Sequence, residues 1–223
     1  MKRIFLILTL FVISCSFSQT IDLETVKKEV INKNSSFYYE DLVKQFIEHP
    51  ETFRADTVKS EYLYYGKLFS TYYKKSSEVK SQNMRLIKLT GDKKYSKAIA
   101  LGENLIEKDP VNLVIIMNLI NSYKNQNKDE NKDKINKLSL QAEILLTAIA
   151  KYGDGKSKET AFKVIALGDE YILLNYLGIN LAKYTRKSEN SKTKEILDIW
   201  TKDNNFADDH REKIYTVVYS NVD

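Results

Sequence analysis

Apolar residues along most of this chain recur at three- and four-residue steps, the period of a helix that buries one face. Tyr39, Leu42, Val43, Phe46 and Ile47 share such a face, and His49-Pro50 ends the segment because proline lacks the N–H a continuing turn needs. Before it, Asp22 is placed to cap a first helix running to about Asn32, and Asn34-Ser35-Ser36 breaks that helix. A third helix is predicted to start near Asp56 and to carry Val58, Tyr62, Tyr65, Phe69 and Tyr72 one above another. Tyr64 and Tyr73 fall outside that stripe, so the helix either packs on two sides or presents rings to a ligand. The simpler expectation is a core of rings with hydroxyls at its rim.

From about Val79 to Lys151 the pattern predicts paired helices. Gly91-Asp92-Lys93-Lys94-Tyr95-Ser96-Lys97-Ala98, followed by Leu101, Leu105 and Pro110, resembles the second half of a tetratricopeptide repeat, in which a small alanine lets two helices approach. Leu113, Ile116, Leu119, Ile120 and Tyr123 form the next face, and Leu138, Ala142, Leu145, Leu146 and Ile149 its partner. The polar stretch from Lys124 to Lys134 between them is expected to be a solvated loop. With fewer than three regular repeats, this is a cluster of helical hairpins and no long solenoid.

After Tyr152 the period shortens. Phe162, Val164 and Ile165 predict a strand within Thr160 to Leu167, Asp169 opens a brief helix through Leu177, and Ile179 to Tyr184, Glu195 to Thr201 and Lys213 to Tyr219 predict three more strands. A sheet this small needs a helical layer on one face. The expected fold is therefore mainly α with a small α+β tail: helical hairpins over residues 20–152 packed on a short antiparallel sheet within residues 153–223.

The N-terminus changes the picture of where the protein works. Met1-Lys2-Arg3, the apolar run Ile4 to Ile13 and the small-residue exit Ser14-Cys15-Ser16-Phe17-Ser18 read as a secretory signal over residues 1–18. Val12-Ile13-Ser14-Cys15 also resembles a bacterial lipobox, in which case the signal ends at residue 14 and acylated Cys15 anchors the protein to the outer membrane. Nothing later in the chain is apolar enough to span a bilayer. The expectation is an exported protein, periplasmic or associated with the outer membrane, or released outside the cell. Cys15 is the only cysteine, which excludes intrachain disulfides and thiolate sites from the mature chain. Removing Lys2 and Arg3 lowers the formal charge from +5 to +3, too mild for a nucleic-acid partner.

Candidate chemistry concentrates in Gly153-Asp154-Gly155-Lys156-Ser157-Lys158-Glu159-Thr160 and in Asp169-Glu170-Tyr171. Gly155-Lys156-Ser157 is no phosphate loop, since Ala150 stands where its first glycine belongs and no strand precedes it. Gly153 is expected to stop the last long helix in a left-handed conformation, with a tight turn at Asp154-Gly155. Asp154, Ser157 and Glu159, or Asp208-Asp209-His210, offer oxygen ligands without the alternation of a known cation loop, so no metal and no cofactor are expected. Glu159 with Asp169 or Glu170 is a candidate carboxylate pair for glycoside hydrolysis. Neither His49 nor His210 sits in a nucleophile motif, and Ser157 lacks the glycine elbow.

Tyr62-Leu63-Tyr64-Tyr65-Gly66 with Tyr72, the repeat-like helices, and Asp154-Gly155-x-Ser157-x-Glu159-Thr160-Ala161-Phe162-x-Val164-Ile165 with Asp169-Glu170-Tyr171 together resemble an uncharacterised domain-of-unknown-function family of exported Bacteroidota proteins. The resemblance covers the chain from about Ser35 onward and implies export or surface association, with no catalytic residue carried over. The expected function is a non-catalytic interaction or scaffold module that receives an envelope protein or peptide in a helical groove. The alternative is an envelope hydrolase or small-ligand or carbohydrate binder with Glu159, Asp169 and Glu170 near a pocket lined by Tyr62, Tyr64, Tyr65 and Tyr72. Asp154, Ser157 and Tyr171 complete that candidate set.

Overall fold

The structure is a computed structural model that describes residues 21–190, 195–203 and 211–219, and for 74–78 the backbone alone. The signal segment, Cys15 and Asp208-Asp209-His210 lie outside the described residues.

Helix α1 (Leu23–Ile31) begins where expected, with the Asp22 carboxylate accepting from the backbone N–H groups of Glu24 and Thr25. Helix α2 (Tyr39–Glu48) buries Tyr39, Leu42, Val43 and Phe46 and stops at His49-Pro50, after which a single turn, α3 (Glu51–Arg54), inserts Phe53 into the core. The third predicted helix divides. It forms α4 (Thr57–Gly66), a 3-10 turn over Lys67–Phe69, an extended Ser70 and then α5 (Thr71–Gly91). The break follows from what Lys67 must do: its ammonium is buried and pairs with Asp109 at 2.7 Å, and Ser70 Oγ donates to the Lys67 carbonyl. The stripe is also different from the expected one. Val58 is exposed, whereas Leu63, Tyr64 and Tyr65 are sealed, so α4 is covered on more than one side and a single-face period does not describe it.

Helices α6 (Tyr95–Lys108), α7 (Leu113–Gln126) and α8 (Lys132–Ala150) follow, and α5, α6, α7 and α8 pack in chain order, with α8 also lying on α4. Gly102 of α6 is a contact glycine: a Cβ there would come within 2.7 Å of Leu119 Cδ2 on α7. The stretch 124–134 is not the expected loop. Helix α7 runs through Gln126, Asn127 turns in the left-handed region, a 3-10 turn spans Asp129–Asn131, and α8 starts at Lys132. Lysine, glutamine and glutamate are good helix formers, so polarity marks a solvated helix end here.

The C-terminal region contains β1 (Phe162–Val164), α9 (Leu167–Tyr176), a 3-10 turn over Leu181–Lys183, β2 (Tyr184–Asn190), β3 (Glu195–Lys202) and β4 (Lys213–Tyr219). The sheet order is β1-β4-β3-β2. The β2–β3 and β3–β4 pairs are antiparallel as expected, but β1 pairs with β4 in parallel, which makes the sheet mixed. Everything from α9 through β3 separates those two strands, a connection long enough for a crossover. The strand expected at Ile179–Tyr184 starts only at Tyr184. Gly178 at φ +77° turns the chain, Ile179 plugs into the core, and Asn180 caps the short turn that follows. Gly153 is likewise a correction: among the described glycines the positive φ values belong to Gly155 and Gly178. Gly153 is required by proximity, since a Cβ would sit 2.5 Å from the Ala161 carbonyl oxygen.

Candidate functional site

Asp169 and Glu170 stand side by side in the first turn of α9, where the helix dipole favours acidic groups. Adjacent helical residues point about 100° apart, so the two carboxyls leave the helix in different directions. Asp169 points into the helical body and accepts from Tyr64 Oη at 2.8 Å, while the same hydroxyl accepts from the Ile165 N–H at 3.1 Å. Burial pushes the Asp169 carboxyl up to about 6, against the opposing pull of the Lys67 charge and the Tyr64 hydroxyl. Beside it, Tyr65 Oη donates to the Lys163 carbonyl at 3.0 Å. Two tyrosines of α4 thus hold β1 and its exit, with burial raising both phenols well above their ordinary value.

Glu170 points the other way, into the sheet. Its Oε1 accepts from Trp200 Nε1 and Thr216 Oγ1, and its Oε2 lies 3.7 Å from Arg186 Nη1. Asp198 Oδ2 is also 3.7 Å from that nitrogen, and Asp198 Oδ1 accepts from Ser188 Oγ. The register places these groups on one face, with Arg186 opposite Trp200, Ser188 opposite Asp198, and Asp198 opposite Thr216. Tyr171 meets Trp200 edge to face at 5.3 Å, and the Arg186 guanidinium approaches both rings at 5.8 and 5.9 Å. Burial raises the Glu170 carboxyl to about 7; the Thr216 and Trp200 donors oppose this, and the Asp198 carboxyl adds to it. Arg186, Asp198, Trp200 and Thr216 escape the sequence reading. The available signal is Asp198, a charge at an alternating inward position between Ile196 and Trp200.

The loop before β1 closes on itself. Asp154 and Gly155 both donate backbone N–H to the Thr160 carbonyl, at 3.0 and 2.8 Å, and Gly155 is fully covered with φ +68°. Ser157 and Thr160 bond each other's backbone N–H at 3.2 Å. The Asp154 carboxylate accepts from the Lys156 N–H at 3.0 Å, and its carboxyl is held down at about 2, by the Thr160 hydroxyl first of all. Glu159 is exposed, and the Ser157 hydroxyl lowers its carboxyl. Tyr62 stacks on Phe37 at 4.2 Å and Tyr72 lies 6.0 Å from Tyr39, both on the α1 and α2 side. The expected residues therefore occupy separate places. Tyr64 meets Asp169, Tyr171 shares Arg186 and Trp200 with Glu170, the loop residues serve the loop, and Glu159, Asp169 and Glu170 do not converge on a tyrosine-lined pocket.

A concave site does lie elsewhere, between α6, α7 and α8. It encloses about 400 Å³ over an apolar floor that includes Ile106, Leu119 and Leu138, with Ile47 at one side. At one end Tyr123 Oη and Lys134 Nζ both donate to Glu103 Oε1, at 2.5 and 2.7 Å, which fixes that rim; burial first and the Glu103 carboxylate second raise the Tyr123 phenol to about 12, against the opposing pull of Lys134. Glu107 and Lys137, also on the lining, are exposed and have no ion-pair partner among the described residues. No group of three or more His, Cys, Asp or Glu side chains among the described residues is placed to hold a metal ion. No described helix is long and apolar enough to cross a membrane.

A family model for a domain of unknown function (DUF4919) matches residues 24–206, which spans most of the chain. No curated protein and no solved structure matches it.

Proposed function

We propose that this chain, which belongs to the DUF4919 family of unknown function, is an exported cell-envelope binding module. It takes up a segment of a protein or peptide partner in the α6–α8 groove and carries out no catalysis. The groove itself is the observation that carries the reading: an apolar floor flanked by an unpaired glutamate and an unpaired lysine on ordered helices. That arrangement suits a segment that inserts an apolar side chain between one acidic and one basic residue, meeting Lys137 and Glu107 respectively. The carboxylates at the α9 junction support the absence of catalysis, because Asp169 and the Oε1 of Glu170 are already committed to internal donors.

Export is supported by the basic and apolar start of the chain. Attachment to the outer membrane follows if Cys15 is acylated. Cell fractionation with intact mass measurement tests this: removal after Ser18, or a diacylated Cys15, is expected, and an unprocessed cytoplasmic chain contradicts export.

The binding reading is tested in living cells with a photo-crosslinker at position 47, where Ile47 is exposed on the lining and both charges stay in place. A single reproducible envelope adduct is expected, lost on Glu107→Lys, while a crosslinker at exposed Lys93 gives none. Adducts that persist after the charge reversal, or their absence at position 47, contradict it.

A further inference from the structure

We propose that Glu170 and Asp198 hold one proton between them, so that the contact of α9 with the sheet is a latch, closed in acid and loosened when that proton leaves. The inference is independent of the groove. Glu170 Oε2, Asp198 Oδ2 and Arg186 Nη1 are buried without a hydrogen-bond partner among the described residues, although both oxygens lie 3.7 Å from that one nitrogen. Two buried acceptors left without donors beside one nitrogen are costly, and a single proton between them makes one a donor to the other. The neighbouring Asp198 carboxyl adds to burial in strengthening the hold of Glu170 on its proton. Charge leads to the same answer. Two carboxylates against one guanidinium leave an uncompensated negative charge in a sealed place, and one proton brings the trio to neutrality.

Few other ionisable groups face the pair. Strand β2 supplies Arg186 and, on the same face, Tyr184, whose hydroxyl donates to the Arg211 carbonyl; β3 supplies Asp198 and, opposite Tyr184 on that face, Lys202, which has a contact of its own; α9 adds Tyr171, against Trp200 and Arg186. Strand β4 presents Thr216 and turns Lys213, Tyr215 and Tyr219 to the opposite face, as β1 does with Lys163. Helix α7 meets α9 at Val114, more than two turns before its Tyr123 and Lys124. Lys183, in the turn after α9, has a contact of its own, and Asp169 points to Tyr64.

Trp200 reports on the latch directly, because it is the only tryptophan and donates to Glu170. Its emission is followed from about pH 5 to about pH 8, the range in which a raised carboxyl titrates apart from ordinary ones. Wild type is expected to show one transition to longer wavelength and greater acrylamide quenching as pH rises. Glu170→Gln, whose amide donates permanently to Asp198, is expected to stay at the acid position throughout. Asp198→Asn removes the like charge and is expected to displace the midpoint by about a tenfold change in proton concentration or more. Asp169→Asn, which leaves the pair intact, is expected to retain the transition. Flat wild-type emission, as a water bridging the three atoms would give, overturns the proposal. So does an unaltered transition in Glu170→Gln. Should that variant not fold, an unmoved midpoint in Asp198→Asn decides against it.

Discussion

Tyr64 shows how one hydroxyl ties two parts of the molecule. It donates to Asp169 on α9 and accepts from the Ile165 N–H at the end of β1, all out of water. Tyr64→Phe keeps the ring and removes both bonds, leaving a buried carboxyl and a buried N–H without their partner. A loss of about 1–3 kcal/mol in denaturant unfolding is expected. An equal loss in Tyr62→Phe, whose ring is half-buried against Phe37, would contradict the distinction drawn between the two tyrosines. The buried Lys67–Asp109 pair behaves more severely. Lys67→Met strands the Asp109 carboxylate, and a loss of about 3–5 kcal/mol is expected by the same measurement. A near-neutral result would show that the pair contributes nothing to the turn at Lys67. At this scale the sequence reads partially. The commitment of Asp169-Glu170-Tyr171 to a junction follows from its place after a turn, but its true partners, Arg186, Asp198 and Trp200, arrive from strands whose pairing no local pattern encodes.

Among the elements, the glycines of the joint separate two kinds of constraint. Gly153 is held by backbone oxygens that cannot move aside, whereas Gly102 meets the end of the Leu119 side chain. Gly153→Ala is expected to lower thermal stability more than Gly102→Ala, with about 1–3 kcal/mol for the latter. The reverse order would contradict the packing described. Helix positions were legible wherever a single face repeats, as in α2 and α7. The division of α4 from α5 was not, because the cause is a long-range bond from Lys67 to Asp109 and Val111. Nor was β2 legible: its alternation is that of a polar edge strand, while the apolar run before it, Ile179 to Tyr184, mostly serves as a plug and a turn.

For the molecule as a whole, the raised carboxyls set the dependence of stability on pH. The folded state holds the Asp169 proton up to about 6, whereas the unfolded chain releases it near the ordinary value of 3.8. Between those values the folded form binds more protons, so the Asp169 contribution is fully present below the unfolded value and is lost as pH rises through the folded one. Glu170 acts in the same direction over a window that begins at 4.5 and ends at about 7. Melting temperature is thus expected to fall between about pH 4 and about pH 7, and Asp169→Asn to flatten part of that fall. A melting temperature that rises across the window contradicts the assignment of both groups. The central claim is that residues 153–171 form a joint while α6–α8 form the binding surface. Hydrogen exchange on the protein alone and with the partner crosslinked at position 47 tests it most directly. Slowed exchange in α6, α7 and α8 with residues 153–171 unchanged is the predicted result; slowed exchange at 153–171 with α6–α8 unchanged would contradict it.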